Sequence, residues 1–237
     1  APSAVQPAAA AGSAVAPNSL ASLYGGNLAS GEAHATAQPL PTNLGGVMLS
    51  VTDSAGVQRS APLVFVSATQ INFVVPDGSA AGTANFTVTS PGGSQTFPGT
   101  IQTVAPALFS MNGTGTGVAA ATAISTIAGN PGVQSPVTVF QCSDSTCTSV
   151  PIALGVDTPI YVTFYGTGIR NASSLSNVSA TISGVRVPVL YAGPTPGFTG
   201  LDQVNVVLPL TLRGAGESNV LVTADGQTSN AVTINVK

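Results

Sequence analysis

The sequence predicts an all-β protein made of two tandem β-sandwiches behind an extended N-terminal arm. Three observations carry that prediction: short β-forming runs spaced by turn clusters, no sustained helical period, and an ordered set of motifs that occurs twice. "GVMLSVTD", "APLVFVS", "QINFVVP", "TANFTVTS" and "TFPGTIQTV" are rich in Val, Thr, Phe and Ile, which suit a pleated, half-buried surface. Gly, Pro, Asp and Ser clusters punctuate them every ~8–12 residues, the rhythm of a sandwich. The nearest approach to a helix, "GVAAATAISTIAG" at 117–129, carries Thr and Ile and runs into Gly-Asn-Pro. It is read as extended.

The repeat sets the domain organisation. The first half reads "SLASLYGGNL", "APLVFVS", "QINFVVP" and "AGTANFTVTSPGG"; the second reads "PIYVTFYGTGI", "VPVLYAG", "DQVNVVLP" and "AGESNVLVTADGQ". Tyr24 matches Tyr165, Pro62 matches Pro188 and Phe65 matches Tyr191. Asn72 matches Asn205, Pro76 matches Pro209 and Asn85 matches Asn219. The order is kept while the offset drifts, as loop-length differences would make it. An arm over residues 1–17, a first sandwich over 18–108 and a second over 109–237 follow, with the boundary in "APALFSMNGTGTG".

Within "QINFVVP", alternation sends Ile71, Phe73 and Val75 to one face and Gln70 and Asn72 to the other. In "QVNVVLP" it sends Val204, Val206 and Leu208 inward. Each run stops at a proline, which has no N–H for a ladder. The exposed amides either form a polar ligand surface or bond neighbouring loop backbone and fix the strand's exit. With no aromatic platform beside them, the second is the expectation.

Charge narrows the partners. Charged residues are 5% of the chain, against roughly 25% in an ordinary soluble domain. Lys237 is the only lysine, and Arg59, Arg170, Arg186 and Arg213 are scattered. Nucleic acid and anionic membranes are therefore not expected partners. No run approaches the ~18 apolar residues of a membrane helix. The opening "APSAVQPAAAAGS" reads like a secreted chain after cleavage behind small residues.

Cys142 and Cys147 flank a polar tip in "VTVFQCSDSTCTSVPIAL", the pattern of a hairpin with one cysteine on each arm. A disulfide there suits an oxidising compartment. A metal site is the rival, but two thiolates without nearby His or Cys leave a tetrahedral ion half-ligated. No catalytic, metal or cofactor site is expected. His34, the sole histidine, lies in a loop beside Glu32 with no G-x-S-x-G elbow anywhere. "GTGVAA" at 115–120 fits a dinucleotide fingerprint in letters only, because no strand and helix flank it. Asn85, Asn112, Asn171 and Asn177 are candidate glycosylation sequons.

Several ordered motifs together resemble a known family. "VAPNSLASLYGGNLA", "PLPTNLGGVMLSV", "APLVFVSATQINFVVP" and "AGTANFTVTS", followed by "VFQC…CTSVPIAL", "FYGTGI", "VPVLYAG" and "GLDQVNVVLP", are similar to the Solibacter-type C-terminal domain. That is an uncharacterised module of secreted acidobacterial proteins, and the resemblance spans roughly residues 14–237. It implies an extracellular, Ig-like or transcription-factor-Ig-like architecture and no assigned activity. Little precedes the module here except the Ala/Pro arm.

The arm raises the functional expectation. "APSAVQPAAAAGSAVAP" should be a disordered tail by composition, and an apolar tail orders when something pins it. Adding a strand to a neighbour's open sheet edge polymerises such units, and a head-to-tail contact propagates unless it closes. The leading expectation is a non-enzymatic, extracellular homopolymer subunit whose Ala4, Val5, Ala8, Ala9, Ala10 and Val15 contact a neighbouring subunit. The alternative is a monomeric adhesion or glycan-binding module.

Overall fold

A computed structural model describes residues 4–144 and 146–237. The first sandwich is built from β1 (Val5–Pro7), β2 (Leu20–Tyr24), β3 (Ala33–His34), β4 (Met48–Thr52), β5 (Gln58–Ser60), β6 (Leu63–Val66), β7 (Gln70–Val74), β8 (Gly82–Ser90) and β9 (Gly93–Ile101). One sheet runs β1-β2-β7-β6-β3 and the other β5-β4-β8-β9. Leu23, Leu49, Leu63, Phe73 and Phe86 fill the space between them.

The second sandwich follows with β10 (Ala107–Leu108), β11 (Ala121–Ile127), β12 (Asn130–Val137), β13 (Phe140–Ser143), β14 (Thr146–Ser149), β15 (Ile160–Thr167) and β16 (Val178–Ile182). It ends with β17 (Val185–Val187), β18 (Val189–Pro194), β19 (Asp202–Val207), β20 (Gly216–Ala224), β21 (Gln227–Thr228) and β22 (Val232–Val236). One sheet runs β12-β11-β15-β19-β18, with β10 beside the end of β15. The other runs β17-β16-β20-β21, with β22 also on β20, and β13 and β14 form a separate hairpin. The architecture is all-β, and tandem Ig-like sandwiches describe it.

Alternation explains the strands that matter. Ile71 and Phe73 of β7 are buried while Gln70 and Asn72 face out, and β19 buries Val204 and Val206 while Gln203 and Asn205 face out. The duplication extends to irregularities. Opposite β7 the register slips between Leu63 and Phe65, and opposite β19 it slips between Val189 and Tyr191. A bulge adds one residue to a strand and bends it. Finding it at matched positions makes β6 and β18 equivalent strands.

Two sequence expectations change. Residues 1–17 do not form an arm outside the sandwiches, so far as they are described. β1 pairs with β2, Val5 opposite Leu23, just as β11 pairs with β15, Ala121 opposite Phe164. The Ala4 carbonyl accepts from the Tyr24 amide and the Ala120 carbonyl accepts from the Tyr165 amide. Val15 bridges Ile101 in parallel, and Ile152 bridges Val236 the same way. The segment supplies the first sandwich with strands that the second obtains from 121–152. Composition hid this, because only Val5 and Val15 are strong β-formers among alanines and prolines. Likewise Ala107 and Leu108, assigned with the first half, pair with Thr167 and Gly166 of β15. The chain leaves the first core at Ile101 and enters the second at Val104.

The sandwiches touch along polar and close-packed contacts. The Leu20 amide donates to Thr167 Oγ1 at 2.8 Å, and Asn171 Nδ2 donates to the Pro17 carbonyl at 2.8 Å. Gly200, at φ +79°, sits so close to Leu20 and Val74 that a Cβ would fall 2.9 Å from Leu20 Cγ. A side chain is excluded there by both backbone and space.

Candidate binding face

The amides that face out do not bond loop backbone, as alternation alone suggested. Gln70 Nε2 donates to Asn72 Oδ1 at 2.8 Å, and Ser22 Oγ donates to the same oxygen at 2.8 Å. Gln203 Nε2 donates to Asn205 Oδ1 at 3.2 Å. In each sandwich the pair is a small side-chain network on the outer face of a sheet.

Aromatic residues stand beside these networks, which the sequence order conceals. On the first sandwich Tyr24 lies opposite Gln70, and Phe65 lies opposite Asn72. His34 continues that row, its ring 4.7 Å from that of Phe65. On the second, Tyr165 lies opposite Gln203, and Asn205 lies between Thr163 and Tyr191. Tyr161 stands two residues along, opposite Val207, and Thr122 Oγ1 is 3.2 Å from the Tyr165 hydroxyl. All four tyrosines of the chain lie on these two faces.

The two faces differ in access. On the first, Leu20 and Val74 are covered by Gly200 of the second sandwich. On the second, Tyr161, Thr163, Tyr165, Gln203 and Asn205 remain half-buried, and Tyr191 and Thr122 are exposed. Tyr191 donates its hydroxyl to the Pro194 carbonyl at 2.8 Å, and Gly193 leaves room for the ring. The named face holds aromatic planes, amides and hydroxyls, and no charge.

The remaining sequence candidates fall elsewhere. Cys142 and Cys147 are disulfide-bonded across the register of β13 and β14. Asn112 clamps that hairpin: its Oδ1 accepts from the Cys147 amide at 3.0 Å and its Nδ2 donates to the Cys147 carbonyl at 3.4 Å. Of the other sequons, Asn171 Nδ2 is engaged by Pro17, Asn177 Nδ2 donates to Ser173 Oγ, and Asn85 is exposed on β8. Val5, Ala9 and Val15 are buried within their own chain, and Ala4, Ala8 and Ala10 are half-buried. Ala10 packs on Gly115, part of the Gly-Thr segment between β10 and β11 of the second sandwich. Among the described residues no three His, Cys, Asp or Glu gather as a metal site would require. No described helix is long and apolar enough to cross a membrane.

Asp53 is structural. Asp53 accepts from the Ala55 and Val57 amides, the Ala80 amide and Arg59 Nη1. These bonds, the one from Ala80 foremost, hold its pKa down at about 2. A depressed carboxylate adds stability above its unfolded pKa and loses it as pH falls through the folded value. Acid unfolding of the first sandwich is therefore expected to steepen between about pH 4 and 2. In Asp53→Asn, circular dichroism across that window should show a shallower loss; an unchanged slope would remove Asp53 from the account.

Comparison with known proteins adds no argument about what the chain does. The chain matches no protein-family model, the Solibacter-type module included, and no curated protein. Among solved structures it is similar to the N-terminal eight Ig domains of Down syndrome cell adhesion molecule, isoform 1.30.30, at 8% identity and a TM-score of 0.25. The match covers 100% of this chain and 42% of that one, so this chain spans under half its length.

Proposed function

We propose that the chain is a non-catalytic extracellular binding module, and that the outer face of β11, β15, β19 and β18 contacts neutral glycans. The observation that carries this is the coincidence of Tyr161, Tyr165 and Tyr191 with Thr163, Gln203 and Asn205 on one uncharged sheet face. A tyrosine offers an apolar ring with a polar tip at low entropic cost. Amides and hydroxyls donate and accept, matching vicinal sugar hydroxyls. The disulfide in an exposed hairpin supports the extracellular setting.

Screening the full chain against neutral oligosaccharides, followed by calorimetry, tests the reading. Saturable binding is expected, weakened about tenfold or more in Tyr165→Ala and in Asn205→Ala, with the melting temperature little changed. Absence of saturable binding, or indifference to both substitutions, overturns it.

Assembly into a homopolymer is the second reading, supported by the low charge, which leaves little repulsion against close packing. The pairing of β1 within its own chain leaves residues 4–17 no free strand to donate. Such assembly would require strand exchange. Light scattering at rising concentration separates the readings, since growth in mass favours assembly.

A further inference from the structure

The two sandwiches are each other's control, and one of their differences lies at the outer edge of β6 and its counterpart β18. In the first, the outer edge of β6 is covered by the chain itself: Ala33 pairs with Val66 and His34 with Phe65. The Ala35 amide donates to the Val64 carbonyl at 2.9 Å, and the Leu63 amide to the Pro41 carbonyl at 2.8 Å. Ala33 and Leu44 pack onto the core behind that edge. In the second sandwich β18 occupies the place of β6, with Val189, Tyr191 and Ala192 standing for Leu63, Phe65 and Val66. Among the described residues no strand lies on its outer edge.

The segment that could have covered it is short and adds no strand to that edge. Between Ile169 and Val178 the chain makes a single 3-10 turn, Leu175–Asn177. Ser173 and Asn177 are tied to Asp225, through the Ser173 hydroxyl to its carboxylate and through the Asn177 carbonyl to its amide. A groove of about 500 Å³ remains, lined by Leu175, Val178, Val187 and Val189 together with Ser176 and Ser179, with Arg186 at its rim. Leu190 stands 51% exposed beside it.

Exposed edges are ordinarily blunted by charge, proline or a bulge, and the bulge of β18 is shared by β6, which takes a strand all the same. The opposite edge of the same sheet, β12, carries Pro131 and Pro136. β18 carries no charge and, before its final residue, no proline.

We propose that the outer edge of β18, with the groove behind it, seats an extended, nearly uncharged segment of another polypeptide, added antiparallel as β3 adds to β6. Strand addition draws affinity from main-chain hydrogen bonds and specificity from alternate side chains. The seated segment places small apolar residues toward the groove, where Ala33 sits in the first sandwich. It places a planar side chain over Tyr191, as His34 lies over Phe65. Arg186 favours an occasional carboxylate over a lysine. This strand seat uses the strand's edge rather than the sheet's face and shares only Tyr191 with the glycan reading, so Tyr165→Ala separates the two.

The chain supplies its own probe. A labelled synthetic peptide of residues 29–46, whose only charged side chain is Glu32, is titrated with the full-length protein and followed by fluorescence polarisation. Saturable binding is expected, weakened about tenfold or more in Leu190→Lys and unchanged in Tyr165→Ala. Hydrogen exchange should show β18 amides slowing on peptide addition while β12 amides do not. Absence of saturable binding, or protection on β6 in place of β18, overturns the proposal. So does a dimer that Leu190→Lys dissociates, because the edge is then taken by a second copy.

Discussion

Replacing Arg170 with alanine is expected to destabilise the second sandwich by about 3–5 kcal/mol, the usual cost of stripping a buried ion of its partner. Asp202 is fully buried and accepts from Arg170 Nε at 2.6 Å, the Ile169 amide at 2.7 Å and the Arg170 amide at 3.2 Å. Arg170 Nη2 reaches the Leu201 carbonyl at 2.7 Å, so one guanidinium closes the turn onto the start of β19. Burial pushes the Asp202 pKa up, and the Arg170 charge and the hydrogen bonds pull against it. Without Arg170 that pull weakens and the folded-state pKa rises further. A carboxyl with a raised folded pKa loses stability as pH climbs past its unfolded value of about 3.9. The deficit of Arg170→Ala should therefore be smaller near pH 4 than at pH 7. Urea unfolding by tyrosine fluorescence reads it well, since Tyr161, Tyr165 and Tyr191 lie in this sandwich and the chain has no tryptophan. Arg170→Lys keeps the charge without the fork that spans Asp202 and Leu201, and should fall between the two. A deficit under about 1 kcal/mol, as for an exposed pair, would reject this account.

What the sequence shows, it shows through local periodicity. "QINFVVP" and "QVNVVLP" declare their buried face because strand alternation needs no knowledge of a partner. The cysteine hairpin is legible for the same reason, its arms being neighbours in the chain. The candidate face is not, because Tyr24 meets Gln70 and Tyr191 meets Asn205 only once distant strands pair. Asp202 reads as one more turn aspartate after Gly200, and its partner Arg170 is 32 residues away. β12 carries prolines and glycine and reads as a turn, yet an edge strand tolerates them. The missing cover on β18 is legible in neither half alone. It needs the two halves superposed through their shared bulge.

Val5→Asp is expected to cost at least about 3 kcal/mol in the first sandwich, because it buries an unpaired charge. Val5 is 1% exposed, and a Cβ on Gly99 would lie 3.4 Å from its own Cβ. Beside it the Tyr24 amide donates to the Ala4 carbonyl at 2.8 Å and the Ala8 amide to the Leu20 carbonyl at 3.1 Å. Removing residues 1–9 should do more, exposing the β2 edge to pairing with other chains. The shortened chain should therefore melt lower and self-associate in light scattering, and an added peptide of residues 1–17 should reverse both. If the shortened chain stays monomeric with its melting point unchanged, the segment is the accessory tail its composition suggests. The same experiment bears on assembly. A strand exchanged between copies makes in the neighbour the bonds it already makes at home, so exchange gains little contact energy and depends on concentration. It must also release Val15, whose amide donates to the Thr100 carbonyl and whose carbonyl accepts from Gln102. With two anchors broken for two regained, exchange by the intact chain is expected only at high concentration.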